Sequence, residues 1–148
     1  MGRKPGRPES DNPKSCIIPE TRVTREEYWM IQFKAALFTG GNVAEFIRRA
    51  ANNYVGDFKL MACAECNSDM TMSPQDESYH MSVSGKQLQV KVHGVPTYVC
   101  SHCEEQIVDV KLSAKIEEYI EEEVLYRLNG HDTIPTDIYF NQLIGQQI

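Results

Sequence analysis

Of the five cysteines in this 148-residue chain, four stand as two matched pairs. The first reads Cys63-Ala-Glu-Cys66, and 33 residues later comes Cys100-Ser-His-Cys103. Two thiols three apart can pinch one metal ion from a tight turn, and two such turns complete a tetrahedral Zn²⁺ site. A catalytic zinc keeps one position open for water, whereas four cysteines close the site. The expectation is therefore one structural Zn²⁺ per chain held by Cys63, Cys66, Cys100 and Cys103, contributing about 10 kcal/mol to folding. Rubredoxin-like iron fits less well, because the glycines and prolines of those knuckles are missing. His102, between the last two ligands, reads as an exposed loop residue rather than a fifth ligand. His80, His93 and His131 lie at spacings that mark no site. Cys16 is left over and reads as an inert thiol unless its surroundings lower its pKa. No phosphate loop, nucleophile elbow or His-Glu metal motif occurs, so no catalytic residues are expected and the chain does not read as an enzyme.

Composition sets the frame for that centre. The chain is 41% hydrophobic and 24% charged, which is globular composition. It has no apolar run long enough for a membrane span and no apolar stretch typical of a secretory signal near its start. Paired thiols in a reducing compartment bind metal more often than they form disulfides, which points to the cytoplasm. The net charge of −6 is unevenly spread. Residues 1–55 hold nine Lys/Arg against six Asp/Glu, and residues 56–148 hold six against fifteen. The first third can meet phosphate, and the remainder presents an acidic surface.

Residues 1–14 are rich in proline and glycine and read as a disordered basic tail. There Gly6-Arg7-Pro8, with Arg3 and Lys4 ahead of it, resembles an AT-hook, which implies a minor-groove contact. Residues 15–55 are patterned. Cys16 to Val23 reads as a short extended segment, which Pro19 restricts to an edge. Thr24-Arg-Glu-Glu27 forms a capping box, and a helix follows to about Phe38. Its apolar side chains from Tyr28 to Phe38 cover too much of the circumference for the surface helix of a monomer. Thr39-Gly40-Gly41 ends it. Asn42 then caps a second helix, with Glu45 placed for another box, and Val43, Phe46, Ile47, Ala50, Ala51 and Tyr54 form its apolar stripe.

A strand and two helices cannot build a core alone, so a homodimer is expected. The segment resembles the ribbon-helix-helix family through its strand running into Arg22-Val23, its capped first helix, its Gly-Gly turn and the run Asn42 to Ala50. The resemblance implies a two-stranded ribbon in the major groove of operator DNA. Ile18, Glu20 and Arg22 would then face the bases, with Thr21 and Val23 inward. Asn42 and Val43 would hold a phosphate at the second helix's N-terminus.

Residues 56–61 read as a linker into a zinc-finger domain at 62–130. Tyr79, Met81 and Val83 alternate with polar residues, as do Leu88, Val90 and Val92, which predicts an antiparallel hairpin turning at Ser84-Gly85-Lys86. Such a hairpin would carry one cysteine pair to the other. Ser113 is expected to cap a helix over Ala114–Leu128 that ends at Asn129-Gly130. Ile116, Ile120, Val124 and Leu128 would line one side, and Glu117, Glu118, Glu121, Glu122 and Glu123 a solvated other. Residues 131–148 read as a C-terminal tail in which Thr136 caps a short apolar helix. No internal repeat is evident. Residues 62–128 resemble the YgiT-type zinc finger of MqsA-type antitoxins, through both cysteine pairs, Val90-x-Val92-x-Gly94-Val95-Pro96 and Glu104-Glu105. The family usually has Gly where Asn67 stands and often has Gly where Glu104 stands.

The fold class expected is α+β: a ribbon-helix-helix module followed by a small hairpin-and-helix zinc domain. The function expected is an antitoxin-like DNA-binding regulator, dimeric on its operator, with a toxin or other protein as a further partner. The alternative is an interaction protein that sequesters its partner through the acidic zinc module and never touches DNA.

Overall fold

The computed structural model describes residues 16–18 and 20–145. The chain divides into two compact units, Met1–Ala50 and Ala51–Ile148. Mixed helix and sheet is present, as the patterning predicted. The basic tail with Arg3, Lys4 and Arg7, and also Pro19, lie outside the described residues.

The first unit is a helical hairpin. α1 runs Arg25–Phe38, and both halves of its capping box are formed. Thr24 Oγ1 accepts from the Glu27 N–H at 3.1 Å, and Glu27 accepts from the Thr24 N–H at 3.0 Å. Gly40 and Gly41 turn the chain at φ 61° and 87°, a region that costs a side-chain-bearing residue about 1–2 kcal/mol. α2 covers Val43–Asn53. Its predicted second box is only half made. Asn42 Oδ1 accepts from the Glu45 N–H at 2.9 Å, while the Asn42 N–H goes to Thr39 O and the Glu45 carboxylate pairs with Arg49 at 2.6 Å. The reason is competition: Arg49, one turn on, supplies a charge that the backbone N–H cannot match.

Among the described residues of this hairpin only Ala35 is fully buried. Trp29, Phe33 and Leu37 remain 49%, 64% and 75% exposed. Residues 16–18 and 20–24 form no strand in the single chain, where the extended segment was expected. Strand pairing takes a second backbone, and the ladder bonds cannot form without one.

The second unit is built on one long hairpin. β1 spans Met70–Val83, and β2 spans Lys86–Cys100. The turn is two residues, Ser84 and Gly85, at φ 50° and 79°, the doubly positive form whose twist suits a hairpin. Tyr79, Val83, Val90 and Val92 point inward with Met81 and Leu88 half-buried beside them, while His80, Ser82 and Lys91 face solvent. Register shifts between Gln75 and Glu77. There Gly94 takes φ 76° and donates its N–H to Asp76 Oδ1 at 3.3 Å.

β3, Gln106–Ile107, pairs with the end of β2, and α3, Val110–Asn129, packs Ile116, Ile120 and Val124 on the sheet's apolar face. The helix starts earlier than Ser113: Asp109 is its cap and accepts from the Leu112 N–H at 3.0 Å. A carboxylate at that position satisfies an orphan donor and favours the positive end of the helix dipole. At the other end Gly130 has φ −87°, and the left-handed residue is His131 at φ 52°. The bonds Asp132 N–H to Arg127 O and His131 N–H to Leu128 O place His131 at the position that usually takes glycine.

The tail differs from its sequence reading. Thr136 does not cap a helix, and its hydroxyl bonds Asp137. Asp137–Tyr139 instead forms β4, parallel to β2 at Lys91, Val92 and His93, and only Phe140–Leu143 is helical (α4). Ile138 and Phe140 enter the same core as Ile120 and Val92. Burying two large apolar side chains, at about 1.5–3 kcal/mol each, outweighs the one extra turn of helix that Asp137–Tyr139 would have added.

Candidate metal centre

The hairpin register pairs Met70 with Cys100, so the chain leaving the first cysteine turn runs beside the chain entering the second. Each turn is closed by the same backbone bonds. In the first, the Cys63 N–H donates to Ser68 O and the Asn67 N–H to Cys63 O, both at 2.8 Å. In the second, the Cys100 N–H donates to Glu105 O at 2.9 Å and the Glu104 N–H to Cys100 O at 3.0 Å. Every atom pair recurs 37 residues later, as do the flanking bridges of Ala62 with Asp69 and Val99 with Gln106. The absence of an internal repeat therefore holds for side chains and not for backbone: the two turns share little beyond cysteine.

The residue after each pair, Asn67 at φ 58° and Glu104 at φ 63°, is left-handed. Asn tolerates that region, and Glu does so at a cost. These are the two positions where the sequence lacks an expected glycine.

The four Sγ atoms lie within 4.8 Å of one another. Cys63 Sγ is 3.3 Å from Cys103 Sγ, and Cys66 Sγ is 3.4 Å from Cys100 Sγ, so the closest contacts run between the turns. A Zn–S bond of about 2.3 Å in a tetrahedron sets sulfurs about 3.8 Å apart. The donor set and spacing thus fit one tetrahedral ion, and the four cysteines can hold a metal such as zinc. Cys63 and Cys100 are buried, Cys66 is half-buried and Cys103 is exposed. As free thiols, Cys66 and Cys103 are shifted in opposite directions. Hydrogen bonds from Ser68, side chain first and then backbone, lower the Cys66 thiol to about 6. The Glu105 backbone acts to lower Cys103, but bonding to the Cys63 thiol and desolvation overcome it and push it up to about 12. A metal that binds all four must displace those protons, so binding strengthens with pH. Met61, Met70, Met72, Tyr98 and Ile107 pack around the buried sulfurs as a small second core. The Tyr98 hydroxyl donates to Lys59 O at 2.7 Å.

The other residues singled out in the sequence are not drawn together in this way. Ile18, Glu20 and Arg22 lie exposed in the irregular stretch before α1. Asn42 and Val43 stand at the start of α2, Asn42 exposed and Val43 half-buried. His102 is exposed in the second cysteine turn, outside the sulfur cluster, and Cys16 is exposed. Glu117, Glu118, Glu121 and Glu122 face solvent, while Glu123 is partly buried and pairs with Arg127 at 2.8 Å.

One constellation was missed. His93 sits between Asp76 and Asp137, at 3.2 Å and 2.7 Å. The three residues are 17 and 44 apart in sequence, and only the glycine after His93 hinted at an irregular backbone there. A mainly apolar groove of about 440 Å³, lined by Tyr54, Phe58, Met72, Pro96, Tyr98 and Phe140 among others, brings no convergent set of reactive groups.

No family model matches the chain, and no curated protein or solved structure matches it either. The cysteine geometry stands on its own. No helix among the described residues is long and apolar enough to cross a membrane.

Proposed function

We propose that the chain is an antitoxin-like, DNA-binding transcriptional regulator that acts as a homodimer, with a structural Zn²⁺ in its second unit. The observation that carries this reading is the helical hairpin. It has a fully formed cap, a Gly-Gly turn and an Asn-capped second helix, yet it leaves Trp29, Phe33 and Leu37 largely uncovered. A unit whose described residues include only one that is buried cannot hold its shape against the conformational entropy it loses. A second copy would supply the missing core and pair residues 16–23 into a ribbon. Arg22 would then engage guanine through its fork, and the N–H groups behind Asn42 would meet a phosphate.

The zinc module, closed by four cysteines, supports no reaction of its own in this reading. Its role is to fold the acidic unit and present it to a protein partner, such as a toxin. The test is binding of the full-length protein to a randomised duplex library at physiological salt, followed by the same assay on Arg22→Ala. Selection of one sequence, lost by about 1–3 kcal/mol in the variant, is the expected result. Enrichment of no sequence would favour the non-DNA reading, in which the exposed hairpin and the acidic α3 face sequester a partner protein.

A further inference from the structure

One polar cluster in the second unit is used neither by the apolar core nor by the cysteine centre, and it ties three strands together. His93 on β2 directs Nε2 at Asp137 Oδ1 on β4, 2.7 Å away, and Nδ1 at Asp76 Oδ2 on β1, 3.2 Å away. Its ring stacks on Tyr139 of β4, centroids 4.8 Å apart and planes 19° off parallel. Each carboxylate is itself anchored. Asp137 Oδ2 accepts from the Thr136 hydroxyl at 3.0 Å, and Asp76 Oδ1 accepts from the Gly94 N–H at the bulge.

We propose that His93 is a proton-operated clasp, holding β4 against β2 as an imidazolium and loosening it when the proton leaves. Two acceptors face the two ring nitrogens, and only the charged ring carries two N–H donors. Once neutral, it must turn one lone pair toward a carboxylate. The charged groups around it act as follows. Asp76 on β1 and Asp137 on β4 attract the imidazolium. Lys91 on β2, 3.9 Å from Asp76, opposes it in part. The Tyr139 face adds a favourable cation–π contact. The balance favours the protonated ring, consistent with a His93 pKa raised first by the Asp137 hydrogen bond.

Among the described residues β4 is three residues long and pairs with β2 alone, where the clasp adds to the hold that Ile138 and Phe140 gain from the core. With both nitrogens committed to carboxylates, the ring has none free to act on a substrate.

The sign of the pH dependence follows from both partners. A raised histidine pKa stabilises the closed form fully below the ordinary value of about 6.5, and that contribution is lost as pH rises through the raised value. The Asp137 carboxyl is held below its ordinary range, first by the His93 hydrogen bond. Its contribution is present above about pH 4 and fades as pH falls through the lowered value. The clasp is therefore closed between roughly pH 4 and 6.5 and opens on the alkaline side.

Amide hydrogen exchange by NMR on the zinc-saturated, full-length protein tests this between about pH 5.5 and 8.5, a range that brackets the ordinary histidine value. The reporters are the Lys91 amide, which donates to Thr136 O at 2.9 Å, and the amides of β4. Protection is converted to opening constants, so that the intrinsic pH dependence of exchange is removed. The opening constant of β4 should rise about tenfold for each unit by which His93 titrates above its ordinary value, with a midpoint that follows the His93 ring resonances. Tyr79 and Val90, deep in the β1–β2 ladder, should show no such step. In His93→Gln and in Asp137→Asn the step should vanish. A β4 opening constant that ignores pH, a step that survives in His93→Gln, or a His93 that titrates at or below the ordinary value would overturn the clasp.

Discussion

Replacing Glu104 with glycine should make the metal-bearing unit more stable, although it deletes a charged side chain beside the cysteine centre. Glu104 sits at φ 63°, closes the second cysteine turn through its own N–H, and is exposed. A residue with a Cβ pays about 1–2 kcal/mol in that left-handed region. Glycine avoids that strain but loses about 0.5–1 kcal/mol more freedom on folding. The difference is a net gain of about 0.5–1 kcal/mol. For a unit of this size it raises the melting temperature by about 2–5 °C. Two controls isolate the cause. Glu104→Ala keeps the Cβ and removes the charge, so it should leave the melting temperature nearly unchanged. Asn67→Gly makes the same change at the equivalent turn, where φ is 58°, and should gain little because Asn already tolerates the geometry. The assay is thermal unfolding followed by circular dichroism at fixed, saturating zinc, since bound metal itself shifts the transition. If Glu104→Gly melts at or below the parent while Glu104→Ala is unchanged, backbone strain at the turn is not the operative term.

Four further outcomes are expected. Exhaustive chelation, or Cys66→Ser, should unfold the second unit by far-UV circular dichroism, since a closed site of four thiolates supplies about 10 kcal/mol. Native mass spectrometry of the untreated protein should show one zinc per chain. His131→Gly should stabilise the C-terminal end of α3 by about 0.5–1 kcal/mol in denaturant unfolding, because His131 occupies the left-handed position at φ 52°. If the proposed homodimer forms through α1, Phe33→Asp should leave the protein monomeric in sedimentation velocity, because it places a charge in the exposed apolar stripe of that helix. A dimer that persists would place the contact elsewhere.

Local signals in the chain foretold the parts of the fold that local chemistry decides. Thr24 and Glu27 define α1's start because their bonds span three residues. The alternation around Tyr79 and Val90, with Ser84-Gly85 between, defines the hairpin because a two-residue turn leaves no other register. The cysteine spacing defines the centre because three-residue separation is what one tetrahedral edge requires. Where sequence reading failed, a distant partner decided the outcome. Ile138 and Tyr139 read as helix, but a β2 edge about 45 residues upstream offered ladder bonds to both and a core to Ile138. Asp109 captured the α3 cap from Ser113 by standing nearer the point where β3 ends. Arg49 took Glu45 away from its box. The His93 cluster joins residues from three strands, and no window along the chain contains them together.

The place of β4 also bears on how the molecule is made. Both cysteine turns are complete by residue 106, yet the core over Val92 lacks Ile138 and Phe140 until synthesis has advanced more than thirty residues further. A nascent chain emerging from the ribosome would capture its ion first and close its sheet last. In that interval the free edge of β2 lies open to any other backbone. Early metal loading would then act as a guide for assembly, fixing the hairpin before the late strand arrives to seal it.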